Sequence, residues 1–85
     1  MKSFKCVVQS SQGLHALSIM RIVGEAKKYL SVITVEYAGR KANARNIMDL
    51  MKLQAAQGAE LVFEIEGEDE EQAAETLKAL CVSFL

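Results

Sequence analysis

The sequence lacks several features that would mark a particular class of protein. Its 85 residues contain no proline, no low-complexity segment and no internal repeat. We therefore expect one domain that spans residues 1–85. About half of the residues are hydrophobic and a quarter are charged, which is typical of a folded globular protein rather than a disordered one.

The distribution of charged and apolar residues argues against binding to nucleic acid and against insertion into a membrane. The formal net charge is −1, and lysine and arginine form no cluster, which argues against nucleic-acid binding. No apolar run approaches the ~20 residues that cross a bilayer. Lys2 and Lys5 also interrupt the N-terminal segment before a signal-peptide core forms. We therefore expect a cytoplasmic protein without membrane insertion.

Residues for metal or covalent chemistry are scarce. Cys6 and Cys81 are far apart and belong to no CxxC or Cys/His motif, which favours buried, reduced thiols over a disulfide framework or a zinc site. The chain also lacks a Ser/His/Asp set, a metal-ligand cluster and a glycine-rich phosphate loop. We accordingly expect no metal and no cofactor.

Three segments alternate polar and apolar residues with the period of a β-strand. Their apolar faces are Phe4, Cys6 and Val8; Ile33, Val35 and Tyr37; and Leu61, Phe63 and Ile65. A turn at residues 38–40 and a short, weak strand around residues 41–43 are predicted between the second and third segments.

Helical spacing of apolar residues appears in the gaps between these strands. The three sets are Ala16, Ile19, Met20, Val23, Ala26 and Leu30; Ile47, Leu50, Met51 and Leu53; and Ala73, Ala74, Leu77, Leu80, Cys81 and Phe84. The order β-α-β-β-α-β-α predicts an α+β fold, with an antiparallel or mixed sheet that carries the helices on one face.

The third helix has the clearest start signal. Asp69 is its predicted N-cap, and Gln72 stands where a capping-box partner belongs. Glu70 and Glu71 place negative charge at the positive end of the helix dipole. We interpret this acidic run as helix stabilisation rather than as a metal site.

The one histidine, His15, lies between Gly13 and the helical pattern that begins at Ala16. An imidazole nitrogen can attack phosphorus, and a helix N-terminus offers free backbone N–H groups to an anionic phosphoryl group. If the domain carries out covalent chemistry, His15 is therefore its leading nucleophile. The residues alone leave a second interpretation open, in which His15 only caps or packs against the helix start.

The second helix carries more apolar residues than one sheet face can cover. These residues are Ile47, Met48, Leu50, Met51 and Leu53. An exposed patch rich in methionine is typical of a surface that docks proteins. The alternative, in which all five belong to the core, also stays open.

Four motifs follow one another with the spacing of a known family. GLHA, EAKKY, TVEYAGRKANARNIMDLMKL and QGAELVFEIEGEDEEQAAETLKAL resemble the HPr family, the histidine-containing phosphocarriers of the bacterial phosphoenolpyruvate:sugar phosphotransferase system. The resemblance covers essentially the whole chain. It implies one HPr-like domain, an open-faced β-sandwich in which three helices cover one face of a four-stranded antiparallel sheet.

The resemblance also implies a function. His15 matches the family's phosphorylated histidine, which accepts a phosphoryl group on Nδ1 from enzyme I and passes it to enzyme IIA domains. The protein would be a monomeric carrier rather than an enzyme. The backbone N–H groups of Ala16 and Leu17, with Ser18, would stabilise the phosphoryl group. The expected docking residues are Leu17, Met20, Ile47, Met48 and Met51.

This chain departs from the family pattern beside the histidine. Family members usually read GLHARPA, whereas this chain reads GLHALSI, so Leu17 replaces an arginine that shields phosphate and Ser18 replaces a proline. A lost donor worth ~2–4 kcal/mol would slow transfer ~30- to 1000-fold. Ser18, Arg21 and Arg45 are candidates for partial compensation.

A second departure concerns regulation. Many family members carry a serine at the start of the second helix that a kinase phosphorylates, and this chain has Asn46 there. Asparagine can cap a helix but has no hydroxyl to modify. We therefore expect no kinase control at this position.

Two other functions remain open at this point. The first is a regulatory module that kept the fold and docking surface but lost efficient phosphotransfer, because Leu17 adds apolar contact surface in place of a charge. The second is a ferredoxin-like binder of small molecules, which would need a closed apolar pocket that the sequence does not indicate.

Overall fold

The computed structural model describes residues 1–85 with the exception of the Phe84 side chain. Phe84, a predicted apolar position of the third helix, is thus described only in its backbone. The elements are β1 (Lys2–Val7), α1 (Ala16–Ala26), β2 (Val32–Tyr37), β3 (Arg40–Asn43), α2 (Ile47–Lys52), β4 (Glu60–Glu66) and α3 (Glu70–Phe84). This order confirms the prediction.

The four strands form one antiparallel sheet in the order β1-β4-β2-β3. The two central strands show the predicted alternation, since Leu61, Phe63 and Ile65 of β4 and Ile33 and Val35 of β2 are all buried. On edge strand β1, the ring of Phe4 stacks on Phe63 with centroids 4.9 Å apart. The three helices lie on this apolar face, so that the fold is the predicted open-faced β-sandwich.

The hairpin between β2 and β3 is tighter than predicted. Tyr37 pairs with Arg40, so Arg40 begins β3 instead of belonging to the turn. Ala38 and Gly39 alone form the loop, with φ of 52° and 81°. Two positive φ angles are typical of a type I′ turn, whose twist matches that of the flanking strands.

Helix α1 buries Ile19, Ile22, Val23 and Ala26, of which Ile22 was absent from the predicted apolar face. It ends at Ala26, and Leu30, predicted as its last apolar position, is 78% exposed. The chain must turn here to enter β2, which removes Leu30 from the helical face. Within the described residues, every helix is too short or too polar to cross a lipid bilayer.

The start of α3 corrects a prediction. Asp69 occupies the N-cap position, but its carboxylate makes no cap hydrogen bond. It accepts instead the backbone N–H groups of Leu30, at 2.8 Å, and Ser31, at 3.0 Å. Glu70, not the predicted Gln72, reaches back to accept a backbone N–H, that of Gly67 at 3.1 Å. A distant loop thus competes successfully for the Asp69 carboxylate.

Candidate functional site

A tightly held loop delivers His15 to the start of α1. The Gly13 N–H donates to the Ser10 carbonyl at 2.9 Å, and the Leu14 N–H donates to the Ala55 carbonyl at 2.8 Å. Gly13 has φ of 71°, and a Cβ there would lie 2.6 Å from the Ala55 oxygen. Both the backbone conformation and the close approach require glycine. The loop after α2 therefore determines where His15 lies.

His15 is the N-cap of α1 and is half-buried. It forms a capping box with Ser18, whose hydroxyl accepts the His15 N–H at 3.1 Å and donates to the His15 carbonyl at 3.0 Å. In return, the imidazole faces the Ser18 backbone N–H, in a contact looser than a regular hydrogen bond. The ring is thereby held beside the helix N-terminus.

The first turn of α1 offers donors for an anion. Ala16 and Leu17 are exposed, and the N–H groups of a first helical turn have no intrahelical acceptor. The helix dipole adds positive potential at the same place. An anionic group on the imidazole therefore has amide donors and a favourable field beside it.

The Ser18 side chain is buried against the backbone of His15. Only 1% of Ser18 is exposed, and its hydroxyl both donates to and accepts from the His15 backbone. The hydroxyl therefore positions the backbone of His15, and its contact with a phosphoryl group stays a prediction. A serine three residues after a predicted N-cap was the sequence signal for this role.

The two arginines considered as substitutes for the missing one differ in position. Arg45 donates from its guanidinium to the carbonyl of Tyr29, which follows the C-terminal end of α1. His15 lies at the opposite end of this 11-residue helix, about 16 Å away along its axis. Arg45 therefore does not serve His15 in this arrangement. Arg21 is exposed on α1 itself.

The predicted docking residues are all exposed, from 43% for Ile47 to 64% for Met48. Leu50 and Leu53 are the buried members of the second apolar set, so the alternative in which all five pack in the core is wrong. The other exposed members are Leu17, Met20 and Met51. Helices α1 and α2 pack against each other, which brings both sets to the helical side of the molecule.

Asn46 caps α2 as predicted. Its side-chain oxygen accepts the backbone N–H of Asp49 at 3.1 Å.

No group of three His, Cys, Asp or Glu side chains in the described part of the chain has the geometry to hold a metal ion.

Comparisons with known proteins agree with this geometry. Residues 2–83 match the PTS-HPr family model, described as the PTS HPr component phosphorylation site. The chain is 42% identical over 71 residues to phosphocarrier protein HPr of Haemophilus influenzae, which covers 84% of each chain. It is also 39% identical over 75 residues to the HPr-like protein Crh of Bacillus subtilis, which covers 88% of each chain.

A solved structure shows the same architecture. The crystal structure of HPr-C-His from Thermoanaerobacter tengcongensis superposes with a TM-score of 0.92 at 37% identity, over 98% of this chain and 93% of that one. This similarity leaves no place for a ferredoxin-like arrangement of the same elements.

Proposed function

The chain belongs to the HPr family and is a phosphocarrier protein of the phosphotransferase system, and we propose that His15 is the residue that carries the phosphoryl group. In this proposal, Nδ1 of His15 attacks the phosphorus of a phosphohistidine on enzyme I. The new N–P bond forms as the old one breaks, and the donor histidine leaves as neutral imidazole. In the second transfer, a nucleophile of an enzyme IIA domain attacks the phosphorus on His15, and His15 becomes the leaving group.

One observation carries the proposal, namely the position of His15 as the N-cap of α1. The phosphoryl oxygens gain negative charge density that the backbone N–H groups of Ala16 and Leu17 and the helix dipole can stabilise. Ser18 holds the His15 backbone, so the segment that carries the ring is already in place when a partner docks. The chain catalyses no turnover of its own in this scheme.

The exposed apolar residues supply the docking surface of the proposal. They are Leu17, Met20, Ile47, Met48 and Met51. Methionine side chains adapt their shape at low cost, which suits a surface that meets two different partners in turn. An exposed apolar cluster at one helical face also provides the affinity that a transient complex needs.

A labelling experiment tests the proposed acceptor. The purified protein is incubated with enzyme I, Mg²⁺ and radiolabelled phosphoenolpyruvate, with His15→Ala as the control. We expect label on the wild type that is lost in acid and stable in base, as phosphohistidine is, and none on His15→Ala. Label that persists on the variant, or that resists acid, contradicts the role of His15.

A second candidate function is a regulatory binding module with weak phosphotransfer. The observation that favours it is Leu17, which is 55% exposed two residues after His15 where the family pattern has arginine. The variant Leu17→Arg separates the two functions. If the rate of phosphotransfer at saturating partner concentration, where a change in docking affinity has no effect, rises ~30- to 1000-fold, the range expected for one electrostatic donor, the natural chain is the weaker carrier. An unchanged rate removes the reason for this second function.

We further propose that the carrier acts as a monomer in the cytoplasm. Relay between two partners requires that His15 and the surface around Met48 stay accessible, which a dimer formed through this surface prevents. Sedimentation equilibrium across a concentration series tests this. A stable dimer that dissociates on Met48→Glu contradicts the monomeric carrier.

A further inference from the structure

Two cysteines that are far apart in the sequence meet in the fold. Cys6 lies on edge strand β1 and Cys81 near the end of α3, which packs on β1. Each residue is 7% exposed, both are free, and the largest influence on the pKa of each thiol is the other thiol. Because the two cysteines lie on packed elements and line one groove, side-chain rotation can bring their sulfurs toward the S–S bond length of about 2.05 Å.

A surface groove reaches both cysteines. Cys6 and Cys81 both line a surface groove of about 250 Å³. Lys5 and Lys78 also line this groove. Val82, also on its rim, is 86% exposed. The pair is thus sheltered but open to a small reactant.

We propose that Cys6 and Cys81 form a redox-active dithiol, which low-molecular-weight disulfides of the glutathione class oxidise to an intramolecular disulfide that ties β1 to α3. The Cys6 thiolate attacks the small disulfide, forms a mixed disulfide and releases one small thiolate. Cys81 then attacks the Cys6 sulfur and releases the second. Two protein thiols are oxidised, one small disulfide is reduced to two thiols, and the reaction is reversible by excess small thiol.

The environment assigns the two sulfurs different roles. The Cys81 thiol, as a hydrogen-bond donor, lowers the pKa of Cys6, which favours Cys6 as the attacking thiol. The same hydrogen bond, together with burial and the charge on Cys6, raises the pKa of Cys81. Once Cys6 is in a mixed disulfide, its sulfur no longer carries a charge. The contribution of that charge to the raised pKa of Cys81 then disappears, and Cys81 loses its proton more easily.

The disulfide would close a loop that contains most of the chain. A loop of this length reduces the entropy of the unfolded state strongly. Close by, the Leu85 carbonyl at the end of α3 accepts the N–H groups of Gln9 and Ser10, which lead into the loop before His15. We expect the oxidised form to melt about 10 °C or more above the reduced form.

The test uses the purified full chain, equilibrated over a series of ratios of oxidised to reduced glutathione. We expect both thiols to disappear together, with a mass decrease of two hydrogen atoms, a cross-linked peptide that joins Cys6 to Cys81, and full reversal by reduced glutathione. Stable mixed disulfides, disulfide-linked dimers, or thiols that stay free at high oxidised glutathione would each overturn the proposal.

Two variants separate the pair from ordinary thiol reactivity. Cys81→Ser leaves the attacking thiol alone, and it should stop at the glutathione mixed disulfide of Cys6. Cys81→Ser combined with Ser83→Cys keeps two thiols but places the second at an exposed position two residues along α3. This double variant should also carry glutathione adducts, and an intramolecular disulfide in it argues against a role for the native geometry.

Discussion

Replacing Ser18 with alanine tests how the structure holds His15. The change removes a hydroxyl that accepts the His15 N–H at 3.1 Å and donates to the His15 carbonyl at 3.0 Å. The carbonyl keeps a partner, because the Ile19 N–H also donates to it at 2.9 Å. The half-buried N–H loses the acceptor that Ser18 provides, and such a loss costs about 1–2 kcal/mol.

A smaller effect opposes this loss. Alanine is a better helix former than serine by about 0.5 kcal/mol, so we expect Ser18→Ala to lower the free energy of unfolding by about 1 kcal/mol. That corresponds to a decrease in Tm of about 4–8 °C for a domain of this size. If the same energy is lost from the orientation of His15, phosphorylation by enzyme I slows about fivefold, measured where the variant is fully folded.

Urea unfolding provides the measurement, with the same slope expected for both proteins and a lower midpoint for the variant. The matched control is Ser10→Ala, which removes a hydroxyl that accepts the Gln12 N–H at 3.2 Å on the exposed side of the preceding loop. It should change stability by less than about 0.5 kcal/mol. Equal effects of the two substitutions, or an unchanged midpoint for Ser18→Ala, would refute the capping argument.

Three further predictions concern the loop before His15, the start of α2 and the start of α3. A positive φ at a residue other than glycine costs about 1–3 kcal/mol, and Gly13→Ala should destabilise the protein by more than this because the added Cβ also meets the Ala55 oxygen. Gly39→Ala is the control, since Gly39 has φ of 81° and open space around it and should lose only the cost of its φ. Equal losses of stability in urea unfolding would contradict the close approach at Gly13. Asn46→Ala should cost about 0.5–2 kcal/mol through loss of the α2 cap, and Asn46→Ser should recover most of it, with no recovery speaking against a capping role. Hydrogen bonds from the Ser31 side chain and the Leu30 backbone lower the pKa of Asp69, so the ionised carboxylate stabilises the fold above the unfolded-state pKa and this stabilisation is lost as acid protonates it. The Tm difference between wild type and Asp69→Asn should therefore narrow as the pH falls from about 5 to about 2, and a constant difference excludes this linkage.

Local patterns in the sequence were enough to predict most of the helices and strands and which side of each is buried. The alternation of Leu61, Phe63 and Ile65 predicted a strand with one buried side because side chains on a strand point to opposite faces with a period of two. The position of His15 at a helix start followed from Gly13 and from the helical spacing after it. Each of these inferences depends on residues within one or two turns of each other.

Interactions between distant segments were decided only by the tertiary structure. Asp69 is a residue type that commonly forms an N-cap, yet its carboxylate accepts the backbone N–H groups of Leu30 and Ser31, because the folded chain places that loop within its reach. Cys6 and Cys81 likewise carry no motif that predicts their contact. Periodicity describes which side of an element is buried, whereas the partner of a side chain depends on how loops close and elements pack. For this protein, the place of His15 at a helix start was predictable from its own neighbourhood, whereas the contact of its loop with Ala55 and the meeting of Cys6 with Cys81 depended on the tertiary structure.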